Sequence, residues 1–236
     1  MPKRRRIAKK KIKEPDEFIS TSDLIIKYVR EHSGNVIRIA IGVFVVALIA
    51  YGWLYSIRGK EKESLNLFYQ AEQLYKVGMS TQNDSQSAEE QYRLALGRFE
   101  AIDKKYKGAS SALKALFYIA DCSYRLKDYD KAIDYYTQFV NRSKKDDYLR
   151  CFAFEGLGYC YEEKGDYEQA LKNFEKSMEE TYGSDLKVLG YLNMARNYEA
   201  LNDRENALQY YKKIIDDQED SLFSALAQDK ISALKN

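Results

Sequence analysis

The chain has 236 residues, with 38 Lys/Arg nearly balancing 36 Asp/Glu, and only one histidine, three cysteines and two prolines. Pro2 and Pro15 both lie near the N-terminus, so nothing in the next 220 or so residues must stop a helix. Strand-like alternation is scarce while i, i+3, i+4 apolar spacing is everywhere, which excludes β-rich folds and points to an all-α chain.

The charge is unevenly spread. Residues 1–38 carry eleven Lys/Arg against five Asp/Glu, residues 58–236 carry twenty-seven against thirty-one, and Ile39 to Ile57 carry none. The N-terminal run holds Lys3, Arg4, Arg5, Arg6, Lys9, Lys10, Lys11 and Lys13. Such a run can serve as a nuclear address or a nucleic-acid arm, but before an apolar segment its ordinary role is topological, aided by anionic lipid. Ser20 to Asp23 reads as a helix start and Gly34 as its stop. Between them Leu24, Ile25, Tyr28 and Val29 share one face, suiting a helix on the inner leaflet or against a neighbouring membrane protein.

The apolar segment follows. Nineteen uncharged residues from Ile39 to Ile57 make roughly 28 Å of helix, about the thickness of a bilayer's hydrocarbon core. Tyr51, Trp53 and Tyr55 cluster at its far end, as interfacial rings do, and Arg38 and Arg58 bracket it. It is long for a buried core helix. The head before it is too long for a signal peptide, and no Ala-x-Ala cleavage site follows. A retained transmembrane helix over 36–58 is expected. Eleven basic residues precede it and only Arg58, Lys60, Lys62 and Lys76 follow in the comparable window. That bias predicts a cytoplasmic segment 1–35 and a C-terminal body, 59–236, outside the cytoplasm.

The body repeats. Ala95, Ala132, Ala170 and Ala207 recur at spacings of 37, 38 and 37. Each is followed four residues later by an aromatic: Phe99, Tyr136, Phe174, Tyr211. Three residues earlier stand Tyr92, Tyr129, Tyr167 and, in the last copy, Arg204. Twelve earlier, in the last three copies, stand the small residues Ala120, Gly158 and Ala195. Small residues let two helices cross closely, and the aromatic fills the space left. In the first copy Ser64–Met79 must serve as the first helix, with Thr81 to Ser87 as a longer polar loop. After the fourth copy Leu222, Ala225, Leu226, Ile231 and Leu234 form one more amphipathic helix, expected to give the array a polar outer cover.

At these positions the chain resembles the tetratricopeptide repeat family, whose unit is an antiparallel helix pair. The resemblance implies a helical-hairpin solenoid of about four pairs with a C-terminal capping helix. More loosely, the pre-span helix ending in Arg30 to Asn35, Gly52-Trp53 within the span, and the charged exit followed by Ala71 resemble single-spanning bacterial inner-membrane proteins with a periplasmic repeat domain. These act as ancillary Sec translocon subunits or chaperone-like factors. That likeness implies an N-terminus in the cytoplasm and a body in the periplasm.

No residue pattern suggests catalysis. Phosphate loops, nucleophile elbows and His/Cys/Asp clusters are missing, and His32 falls before the span. No cofactor, metal, nucleic acid or small-molecule substrate is expected. The acidic pairs read as solvated faces, and most tyrosines fall on repeat positions as packing residues. Cys122, Cys151 and Cys160 read as small buried hydrophobes on the first helices of their pairs.

Two functions fit. One is a scaffold or chaperone-like module that captures protein segments on the periplasmic side, near the translocon. The other is an assembly factor that self-associates or organises an envelope complex. In the resembled family the partner-binding surface is made by the first helix of each pair. Its inward positions map here to Lys114, Phe117, Asp121 and Tyr124, then Phe152, Glu155, Tyr159 and Glu162, then Leu189, Leu192, Arg196 and Glu199. With Lys114 and Arg196 the only bases, a clamp for a C-terminal carboxylate is not expected. Phe117, Phe152 and Tyr159 beside Asp121, Glu155 and Glu162 suit a segment with hydrophobic and basic residues, unless these aromatics pack against a neighbouring helix.

Overall fold

The computed structural model describes residues 17–81, 84–180, 184–217 and 221–235. The basic run Lys3–Lys13 lies outside them. Ten helices are seen among the described residues: α1 Glu17–Glu31, α2 Ser33–Ser80, α3 Ser85–Lys105, α4 Ser110–Arg125, α5 Tyr129–Arg142, α6 Leu149–Glu163, α7 Tyr167–Glu179, α8 Ser184–Ala200, α9 Arg204–Asp217 and α10 Leu222–Lys235. The chain divides into two units, Met1–Ile57 and Arg58–Asn236.

In the first unit, α1 begins at Glu17, three residues before the start expected at Ser20. The break between α1 and α2 is at His32, not at Gly34. His32 donates its N–H to the Tyr28 carbonyl, ending one helix, while its own carbonyl accepts from Asn35 and Val36, opening the next. Gly34 therefore sits in a first helical turn. All side chains from Ile37 to Ile57 are exposed, and α2 is long and apolar enough to cross a membrane.

The second unit is a series of helix pairs. Residues 58–80 of α2 form the first A helix, set against α3 through Phe68 on Phe99 and Tyr75 on Tyr92; α4 pairs with α5, α6 with α7, and α8 with α9. The register alanines Ala95, Ala132, Ala170 and Ala207 are wholly buried, and Phe99, Tyr136, Phe174 and Tyr211 are buried beside them. Gly158 shows why the position twelve residues before the alanine must be small: a Cβ there would stand 2.6 Å from the Phe174 ring.

Three A–B turns share one geometry. Lys127, Gly165 and Asn202 adopt left-handed φ of 63°, 76° and 59°. Each donates back to the helix just ended, and the following Asp128, Asp166 or Asp203 reaches one carbonyl further, as in a Schellman cap. Those aspartates then cap the B helix, accepting from Lys131, Gln169 and Asn206 at 3.3, 3.1 and 3.1 Å. Hydrogen bonds from Asn206 hold the Asp203 carboxyl below its ordinary range.

The core is segmented. One cluster joins α2, α3 and α4 through Phe68, Tyr75, Phe99 and Ile119, and a second joins α4, α5 and α6 through Leu116, Tyr136, Phe139 and Leu157. A third brings Phe174 of α7 against Met194 of α8, and a fourth joins α8, α9 and α10 through Val188, Tyr211, Ile214 and Ala227. The three thiols lie buried in or beside these clusters, and burial pushes the Cys160 thiol up to about 12.

α10 packs on α9, but its outer face is not the polar cover expected. Leu222, Phe223 and Leu226 are exposed there. The helix carries the two-sided apolar pattern of an A helix, whose second side is covered by a B helix elsewhere in the chain.

Candidate functional site

The A helices α2, α4, α6 and α8, followed by α10, are tied to one another directly by side chains. The Tyr75 hydroxyl of α2 donates to Asp121 of α4 at 2.6 Å. Tyr136 also donates to Asp121, and Arg125 pairs with it at 2.7 Å. Tyr124 of α4 faces the Tyr159 ring of α6 at 6.3 Å. Tyr159 in turn donates to Glu155 at 3.0 Å and accepts from Asn193 of α8 at 3.0 Å. Arg196 grips Glu162 through two bonds of 2.6 and 2.7 Å. Glu199 accepts from Tyr211 at 2.9 Å and pairs with Lys230 of α10 at 3.0 Å.

This changes the expected character of the face. Asp121, Glu162 and Glu199 are each neutralised by a base of the same chain and are not acids awaiting a basic partner. Glu155 is half-buried, and desolvation raises its carboxyl above the ordinary range despite the Tyr159 and Asn193 hydrogen bonds. Two expected anchors are also occupied. Phe117 packs edge-on to Tyr136 and Phe139, with centroids at 5.7 and 5.8 Å, and Tyr159 stands edge-on to Phe174 at 5.2 Å. Leu189, Leu192 and Tyr124 are half-buried. Only Phe152 and Lys114 among the twelve are exposed.

An opening lies on the same face, nearer the first repeat. A cleft of about 160 Å³ runs across α2, α4 and the start of α6, lined by Leu65, Phe68, Tyr69, Glu72, Ser110, Ser111, Lys114, Tyr118, Tyr148 and Leu149. Its floor is rigid: Tyr118 is stacked on Phe99 at 5.0 Å and edge-on to Phe68 and Tyr75 at 5.4 and 5.2 Å. Burial pushes the Tyr118 hydroxyl up to about 12. Its rim is open, with Tyr148 67% and Tyr69 54% exposed and Leu65 beside them. The lining acid, Glu72, is paired with Lys76 at 3.1 Å. Lys114 is the lining base, and no carboxylate pairs with it among the described residues.

Sequence reasoning places Lys114 on this face but misses Leu65, Tyr69, Tyr118 and Tyr148. The first two fall in the copy that departs from the repeat, and Tyr148 sits in the connection before α6. An available signal was the surplus of aromatics in the Ser64–Met79 stretch beyond those the repeat register uses.

Among the described residues no group of His, Cys, Asp and Glu could hold a metal ion. The tetratricopeptide repeat family model matches residues 109–179 and again 149–220. Similar solved structures include a Podosopora anserina kinesin light chain-like protein of nearly identical TPR-like repeats, at 17% identity and TM-score 0.57, with 72% of this chain and 85% of that one covered. BtubC from P. vanneervenii is similar at 16% identity and TM-score 0.52, covering 70% of this chain and 72% of that one. A tetratricopeptide repeat protein from Parabacteroides merdae is similar at 19% identity and TM-score 0.51, covering 70% and 60%. At such identities the likeness concerns the fold. No protein of curated function gives a significant match.

Proposed function

Since the helical body is a tetratricopeptide-repeat domain, and such domains are protein-interaction scaffolds, we propose that this chain is a membrane-anchored scaffold or chaperone-like module. It would capture protein segments on the periplasmic side of a bacterial inner membrane, beside a complex such as the translocon. The observation that carries the binding reading is the open aromatic cleft across α2, α4 and α6, set in a face where Asp121, Glu162 and Glu199 are paired internally. A segment with an apolar or aromatic side chain and an acidic neighbour fits it: the side chain enters between Tyr69 and Tyr148, and the acid meets Lys114. This replaces the hydrophobic-and-basic partner expected from the sequence alone. The anchor reading is supported by the uncharged segment Ile39–Ile57, and the orientation by the excess of Lys and Arg before it.

Two experiments test these readings. A photo-cross-linking residue at Tyr148 in cells should capture client proteins, and the capture should drop when Tyr69 is replaced by alanine. Undiminished capture in the Tyr69→Ala protein would remove the cleft as the binding site. A reporter active only outside the cytoplasm should work after Asn236 and fail before Ile39; the reverse pattern would place the repeats in the cytoplasm.

A second reading, an assembly factor that self-associates, is favoured by the exposed Leu222, Phe223 and Leu226 on α10. Sedimentation of the parent and the Leu222→Glu/Leu226→Glu variant distinguishes the two: self-association lost in the variant supports the assembly role, and a monomeric parent excludes it.

A further inference from the structure

α1 carries an apolar face that none of the described residues covers. Leu24, Ile25, Ile26, Tyr28 and Val29 are all exposed. At 3.6 residues per turn, Ile25, Tyr28 and Val29 centre one side of the helix, flanked by Leu24 and Ile26. Asp23, Lys27, Arg30 and Glu31 lie on the other. No small-residue seam runs through the apolar side of the kind close helix packing uses. The adjoining helix bears on what could cover it. One residue, His32, separates α1 from α2, and α2 is the helix long and apolar enough to cross a membrane. So short a connection holds the C-terminal end of α1 close to the water–lipid boundary, within reach of the headgroups. At the junction the His32 ring stacks on Tyr28, centroids 4.5 Å apart, and its Nδ1 lies 3.2 Å from the Tyr28 carbonyl. Tyr and His are amphipathic rings of the kind that rest at headgroup depth.

We propose that α1 is an interfacial helix lying on the bilayer surface, with Ile25, Tyr28 and Val29 sunk to the headgroup–acyl boundary and Lys27 and Arg30 extended to lipid phosphates. This rests on the membrane-anchor reading of α2 and adds a second point of attachment. Span and surface helix together restrict how the chain can rotate and tilt about the span, which a lone span does not.

The test uses the full chain in nanodiscs of phosphatidylcholine and phosphatidylglycerol, nitroxide-labelled at Ile25→Cys, Lys27→Cys or Val45→Cys. The unlabelled-site parent controls for the buried native thiols. Collision rates with oxygen, which partitions into lipid, and with an aqueous nickel chelate report depth. Oxygen should exceed nickel severalfold at position 25, the reverse should hold at 27, and position 45 should be the most lipid-exposed. If positions 25 and 27 are equally open to nickel while 45 is in lipid, α1 does not lie on the membrane. If 25 is shielded from both reagents, a protein surface covers it and the lipid assignment fails. If 45 itself meets nickel freely, the anchor reading fails before α1 is in question.

Discussion

Gly158→Ala is the sharpest test of how the helix pairs are packed. The new Cβ would stand 2.6 Å from the Phe174 ring, where carbon atoms prefer about 3.5–4 Å, so ring or helix must give by about 1 Å. The ring is hemmed in: Phe174 is 1% exposed and Tyr159 stands edge-on to it at 5.2 Å. Overpacking of that kind costs about 1–3 kcal/mol. Against it, removing a glycine from a helix interior returns about 0.5–1 kcal/mol. The balance is a net loss of about 1 kcal/mol. Gly97→Ala is the control. It lies within α3, and a Cβ there has nothing within 4 Å, so only the gain of about 0.5–1 kcal/mol should register. Urea unfolding of residues 58–236, followed by far-UV circular dichroism, should move the two midpoints in opposite directions from the parent. A Gly158→Ala midpoint at or above the parent's would refute the close approach of α6 and α7.

Three other predictions concern the same domain. Ala170, wholly buried at the same crossing, should lose about 1–3 kcal/mol as Ala170→Leu, while the exposed Lys172 should tolerate alanine within about 0.5 kcal/mol; equal melting temperatures would mean the register is misplaced. Lys127→Gly relieves a left-handed φ of 63° that costs a side-chain-bearing residue about 1 kcal/mol, and should raise the urea midpoint; a fall would show that the Lys127 side chain holds the turn. Glu155→Gln should stabilise at neutral pH, because the folded carboxyl binds its proton more tightly than the unfolded one. Its charge therefore opposes folding above the raised folded value and ceases to do so below the ordinary 4.5. Thermal melts across that range should show the variant's advantage vanish as pH falls, and a constant difference would mean that Glu155 is not the titrating group.

The helix pairs are legible in the sequence because each crossing needs a small residue and a filling aromatic at set places, so Ala132, Tyr136, Ala170 and Phe174 announce themselves. The start of the first pair is less so: the charges from Arg58 onward mark where the apolar segment ends, but α2 runs on unbroken to Ser80, so no turn marks where the A helix begins. The candidate face is only half readable. The family resemblance assigns Glu162 and Arg196 to the A-helix face, but not that they meet. The structure shows the rule. Glu162 and Arg196, Tyr159 and Asn193, Tyr129 and Glu163, and Asp130 and Lys164 are all partners 34 residues apart. The repeat is 37–38, so neighbouring copies touch about one helical turn short of register. Complementary residues at that offset are a signal that reading each copy separately overlooks.

The segmented core has a mechanical consequence. Each apolar cluster spans only neighbouring pairs, so the body behaves as a string of links with a stiffness set joint by joint, and strain at one joint decays along the string. The cleft touches α2, α4 and α6 at once and so bridges the first two joints. A segment seated there acts as a splint: it removes bending freedom from that end of the string and leaves the joints beyond α6 free to flex.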